Sequence, residues 1–241
     1  MAAVFISKLA ARAPVFDRQH SCFKRDGLAY SGLLPTLRKV FYPSFCIRRR
    51  RAARRPPGSV QRSYVTKARG CRVHAQLGVW CRTGLLPVDP LASQIATSLR
   101  SRGIKLHACE VPISDDTARV ATAIDAIGED SEGRVVVLEF KAGYQKGTRG
   151  HAPLRELTTK TVPSTPLNHA LLQLGMTRAI LAENYDVHAT QHLLVVSNSS
   201  GVALRTLPVW TTQLSCAQIR LRQKGNALPD WGCSETSSDD E

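Results

Sequence analysis

The chain has no CxxC pair. Its seven cysteines, Cys22, Cys46, Cys71, Cys81, Cys109, Cys216 and Cys233, are scattered and odd in number. This argues against a disulfide framework, a compact zinc site and a cysteine-ligated iron–sulfur cluster. Free thiols in a reducing compartment are the simplest reading. No stretch approaches the roughly 18 consecutive apolar residues of a membrane helix, so no membrane partner is expected. Acids are also scarce, 19 Asp and Glu against 33 Lys and Arg, for a net charge of +14. In residues 1–64 only Asp17 and Asp26 stand against fourteen Lys and Arg. A surplus of this size attracts polyanions, nucleic acid above all, through counterion release. A basic targeting segment is the other reading.

What is present suits one domain with tails: 241 residues, 43% of them hydrophobic, enough for a core. The N-terminal MAAVFISKLAARAPVF reads as an organellar transit peptide. The arginine run from Arg48 to Arg55 reads as a nuclear-localisation or phosphate-binding patch, or as a solvated linker. Pro56-Pro57-Gly58-Ser59 marks a boundary. The expected organisation is a basic, largely disordered segment over 1–62, a folded domain over 63–232 and an acidic tail over 233–241. The expected location is inside the cell, in a mitochondrion or a nucleus, including a host nucleus if the protein is virus-encoded.

Within the domain, TKARGCRVHAQLGVWCRTG predicts a helix. LASQIATSLRSRG, with Leu91, Ile95 and Leu99 four apart, predicts an amphipathic helix stopped by Gly103. KLHACEVPI is strand-like. ARVATAIDAIG and RVVVLEFKAG predict a hairpin through EDSEG. A polar loop over 145–165 follows, then the helix NHALLQLGMTRAILAENY with Asn168 as possible N-cap, then a strand pair in HLLVVSNS and GVALRTLPVW. This order predicts an α/β fold with helices on one mixed sheet.

Chemistry concentrates in the hairpin. Val135 to Phe140 is an apolar strand interrupted by Glu139, with Lys141 two residues on, so both side chains leave one face. On the neighbouring strand Asp125 is the lone charge between Ile124 and Ile127. Two carboxylates brought together repel unless a cation sits between them, and oxygen ligands suit Mg2+ or Mn2+. The same residues also read as an ordinary buried ion pair.

The segment IDAIG…VVVLEFKAG resembles the PD-(D/E)XK nuclease superfamily, with Ile124-Asp125 at the Pro-Asp position and Glu139-Phe140-Lys141 as (D/E)XK. Three more matches resemble its RecB-like, lambda exonuclease and mitochondrial genome-maintenance exonuclease branch. These are Gly70 to His74 as the GxxxH helix, Glu110 as the acid on the first core strand, and Gln173 on the helix after the lysine strand. The resemblance spans roughly residues 66–210 and implies a restriction-endonuclease-like core. It implies a metal-dependent deoxyribonuclease of DNA replication, repair or recombination, acting on ends or single strands. The alternative is an inactive relative that only binds nucleic acid. In the resemblance, Asp125, Glu139 and the Phe140 carbonyl bind the metal, His74 adds a ligand, and Glu110 is a weaker one. Lys141 orients the attacking water and stabilises transition-state charge, and Gln173 positions substrate or Lys141. Tyr144, Lys146 and Arg149, next along the chain, suit DNA phosphates and a stacked base.

Overall fold

The computed structural model describes residues 2–41, 58–142, 166–197 and 201–206. Helices α1 (Ala2–Ala11), α2 (Leu33–Phe41), α3 (Gly58–Thr83), α4 (Pro90–Ser101) and α5 (Pro166–Tyr185) flank a mixed sheet. Its strands are β1 (Val15–Asp17), β2 (Cys22–Arg25), β3 (Leu28–Gly32), β4 (Lys105–Asp115), β5 (Val120–Glu129), β6 (Val135–Ala142), β7 (Thr190–Ser197) and β8 (Gly201–Thr206). The meander β4–β5–β6 is antiparallel, and β7 then joins β6 in parallel, with α5 between them in the chain. β8 closes the edge antiparallel to β7. This α/β arrangement fits a restriction-endonuclease-like core.

Strand periodicity divides the interior in two. Val136, Leu138 and Phe140 pack with α3 and α4, while Val137 packs with α1, α2 and α5. Residues i and i+2 on a strand share a face, so an uninterrupted apolar run such as Val135–Leu138 is what a sheet covered on both sides requires. α4 is buried through Leu91, Ala92, Ile95, Ala96 and Leu99. Asp89 caps it, its Oδ1 accepting from the Leu91 and Ala92 N–H groups, and Pro90 supplies the first turn. α5 starts at Pro166, so Asn168 lies inside its first turn and is not the N-cap.

The expectation of a disordered segment over 1–62 is corrected for residues 2–41, which fold into the domain. The ribbon β1–β2–β3 docks through β3, parallel to β5 at Ser31↔Val120 and Gly32↔Ala121. Phe5, Leu9, Leu33 and Leu37 are buried in the same core as α5. Each pair is spaced four apart, so one helical face carries it inward. The basic charge is not wasted on solvent either: Arg25 bonds the Asp116 carboxylate at 2.5 Å and Ser114 Oγ at 2.8 Å. Tyr30 donates its hydroxyl to Asp116 at 3.0 Å. The domain boundary is corrected at α3 as well, which begins at Gly58 and not near Ser63. The arginine run 48–55, the loop 145–165 and the tail 233–241 lie outside the described residues. Among the described residues, no helix is long and apolar enough to cross a membrane.

Candidate active site

β5 and β6 pair from Glu129↔Val135 to Ala126↔Leu138, and the ladder stops there. Asp125 and Glu139 are the next residues on the two strands, at the point where they part. Further along, the same edge of β5 is taken by β3. The Phe140 N–H at this fork is bonded by Asp125 Oδ2 at 2.7 Å. A carboxylate therefore closes the unpaired end of the ladder, as a buried N–H requires.

The other side of β5 is irregular at the same place. Val111, Ile113 and Ile124 belong to the α5 core, whereas Cys109 and Ala126, two residues away, belong to the α3 core. The β4–β5 ladder thus reverses its faces at Glu110 and Asp125. Glu110 takes a left-handed backbone there, φ 53°. That conformation costs a non-glycine residue about 1–3 kcal/mol and persists only where surrounding contacts hold it.

Those contacts come from α3. His74 Nδ1 is 2.8 Å from Glu110 Oε1, and its Nε2 faces Asp125 Oδ2 at 3.7 Å. The imidazole edge meets the Phe140 ring, centroids 5.9 Å apart. Ligand atoms of His74, Glu110 and Asp125 all lie within 4.8 Å of one another, a spacing that one divalent cation can span. Glu139 is engaged on the α5 side: Lys141 Nζ donates to its Oε1, and Gln173 Nε2 donates to its Oε2 at 3.4 Å. Gln173 Oε1 is buried with no hydrogen-bond partner. An orphaned acceptor beside the acids leaves room for a donor from water or substrate.

Charge here is undercompensated. Burial pushes the Glu139 carboxyl up to about 7, and the Asp125 charge adds to the rise against the pull of Lys141. Burial also raises Asp125, opposed by His74 and Lys141. For His74, burial acts downward but is outweighed by the Glu110 hydrogen bond and the Asp125 charge, so its pKa is raised. Each of these folded-state shifts is upward, so the folded protein holds protons that the unfolded chain has released. The consequence is a sign: with EDTA present, melting temperature falls as pH rises from 5 to 8, through the raised Glu139 and His74 values. Asp116, where burial is outweighed by its Arg25 and Tyr30 hydrogen bonds, is lowered and acts only in acid. Calorimetry across this range checks the sign, and Glu139→Gln is expected to flatten the slope.

The structure therefore brings His74, Glu110 and Asp125 into one group and sets Glu139, Lys141 and Gln173 beside it. Phe140 contributes its N–H to Asp125. Tyr144, Lys146 and Arg149 lie outside the described residues. The strain at Glu110 leaves no mark in the sequence, which has no glycine there. His169 and Thr177, one turn either side of Gln173 and also buried, could have been found from their spacing of four.

No family model matches this chain, and no curated protein matches it. A crystal structure of the protein SSO0001 is similar at 14% identity, over 96% of this chain and 88% of that one, with a TM-score of 0.38. A likeness at that level decides nothing about chemistry.

Proposed function

We propose that this protein is a Mg2+- or Mn2+-dependent deoxyribonuclease that hydrolyses phosphodiester bonds at DNA ends or in single strands. The observation that carries the reading is the gathering of His74, Glu110 and Asp125 ligand atoms within 4.8 Å beside the Glu139–Lys141 pair. The donor set fits a divalent cation: two carboxylates supply hard oxygen ligands, and the imidazole nitrogen favours Mn2+ over Mg2+. Burial raises the pKa values of Asp125 and Glu139, and for Glu139 the Asp125 charge adds to the rise, so a cation bound beside them would favour their charged forms. When bound, the cation polarises the phosphate and lowers the pKa of the attacking water.

The chain's own residues supply the rest. Glu110 holds the His74 ring by Nδ1, which fixes the direction of Nε2. Glu139 holds Lys141 Nζ at the fork, where an ammonium steadies negative charge developing on the phosphate. Gln173 fixes the second Glu139 oxygen. Helix α3, which carries His74, also carries Arg69, Arg72 and Arg82 and contains no acid, which favours a phosphate backbone alongside. Work on DNA would set the protein in a nucleus or mitochondrion.

The test is cleavage of linear, circular and single-stranded DNA in Mg2+, Mn2+ and EDTA. Cleavage with either metal, strongest in Mn2+ and abolished by EDTA, is expected. Cleavage of linear but not circular duplex identifies an end-directed enzyme. Metal-dependent DNA binding without cleavage would replace this reading with that of an inactive relative.

A further inference from the structure

The end of α3 away from His74 borders a cavity that the proposed metal centre does not use. α3 ends at Thr83, followed by Gly84 with φ 73°, and α4 ends at Ser101, shortly before Gly103 with φ 67°. Both glycines hold the left-handed backbone that stops a helix at little steric cost. The chain then enters β4 at Lys105. Where these three ends meet lies an open cavity of about 370 Å³, whose lining includes Trp80, Gly84, Arg100, Ile104, Lys105 and Leu106. Along α3, Gly84 is about 15 Å from His74, and none of the residues of the candidate active site lines the cavity.

Its walls are of two kinds. Trp80, Ile104 and Leu106 are buried side chains that give it an apolar floor. Arg100 and Lys105 are exposed cations. Arg100 Cζ lies 6.0 Å from the Trp80 ring centroid. The ring thus steadies a planar fork that suits two oxygens of one phosphate. Among the described residues no acid lines the cavity. Neither cation is ion-paired with an acid there, whereas Arg72 and Arg134 are. The two helix C-termini bring roughly half a negative charge each. Arg82, Arg100, Arg102 and Lys105, all exposed at this end, more than offset it.

We propose that this cavity binds a nucleoside monophosphate, its phosphate held by Arg100 and Lys105 and its base laid against Trp80, Ile104 and Leu106. A phosphate monoester carries about −1.5 to −2 charges at pH 7, which two cations match. A phosphodiester carries about one, and a nucleoside carries none. The base supplies the flat apolar body that the remaining walls accept. A volume near the lower end of the range for ligand sites, about 300–1,000 Å³, suits one nucleotide and not a duplex. The group comes from a free nucleotide or from the phosphorylated end of a strand.

The experiment is calorimetric titration of the full chain with dAMP in EDTA, so that it does not depend on a metal centre. Saturable binding is expected, at least about ten-fold tighter than that of deoxyadenosine or of inorganic phosphate. Arg100→Ala and Lys105→Ala are each expected to weaken dAMP by about ten-fold or more, the effect of losing one charge-assisted bond. Lys105→Glu is expected to abolish binding, and Lys8→Ala, on α1, to leave it unchanged. As a check that needs no variant, dAMP is expected to slow acetylation of Lys105, and not of Lys8, in mass-mapped peptides. Competition by a short single strand with a terminal phosphate, and not by the same strand without it, assigns the group to a strand end. Competition by neither strand assigns it to a free nucleotide. No binding of dAMP, equal binding of inorganic phosphate, equal competition by both strands, or wild-type affinity in Lys105→Glu would each overturn the proposal. A chain that binds dAMP in EDTA but binds no Mn2+ keeps this site and loses the nuclease reading. The reverse result loses this site alone.

Discussion

Lys141→Ala is expected to leave Mn2+ binding near the wild-type level and to lower DNA cleavage by about 100- to 1,000-fold. The two halves of this result separate because Lys141 is not among the ligand atoms grouped around His74. Its partner is Glu139, so removing the ammonium strips charge from the fork without removing a ligand. Burial and the neighbouring Asp125 already raise Glu139 toward neutrality, and loss of Lys141 is expected to raise it further. The cleavage–pH profile of the variant is then expected to shift to higher pH. A deficit repaired by raising pH traces to Glu139, whereas one that persists at every pH belongs to the missing ammonium. Cleavage equal to wild type would remove the proposed mechanism.

Removing residues 2–41 is expected to unfold the domain. Phe5, Leu9, Tyr30, Leu33 and Leu37 are all buried, and each such side chain contributes about 1.5–3 kcal/mol. Their sum is comparable to the whole stability of a domain, about 5–15 kcal/mol. The truncation also leaves Asp116 without Arg25 and Tyr30, and frees the β5 edge at Val120 and Ala121. The milder Leu37→Ala is expected to cost about 2–5 kcal/mol. Thermal melting by circular dichroism reads both. A truncated chain that melts as cooperatively as the full one would show that these residues are an ornament on the fold.

The parts legible in the sequence are local. The hairpin at residues 129–133 and the alternation that sets Glu139 and Lys141 on one face follow from turn chemistry and a period of two. α4 was readable from Leu91, Ile95 and Leu99. The role of residues 2–41 was hidden because fourteen cations in 64 residues masked four apolar positions at helical spacing. Their burial also depends on β3 meeting β5, roughly ninety residues along the chain. Among the site residues, the hairpin chemistry drew attention to Asp125, Glu139 and Lys141, while His74, Glu110 and Gln173 were nominated by resemblance. One feature had no local signal at all: the face reversal at Glu110 is a property of a strand pair.

The most direct measurement counts Mn2+ bound to the full chain, by electron paramagnetic resonance of the free ion, in wild type and Asp125→Asn. The account predicts saturable binding in the wild type that is lost, or weakened by about 100-fold or more, in the variant, because that substitution removes a charged ligand. Equal binding in both proteins, or none in either, would contradict a metal centre at the fork of β5 and β6.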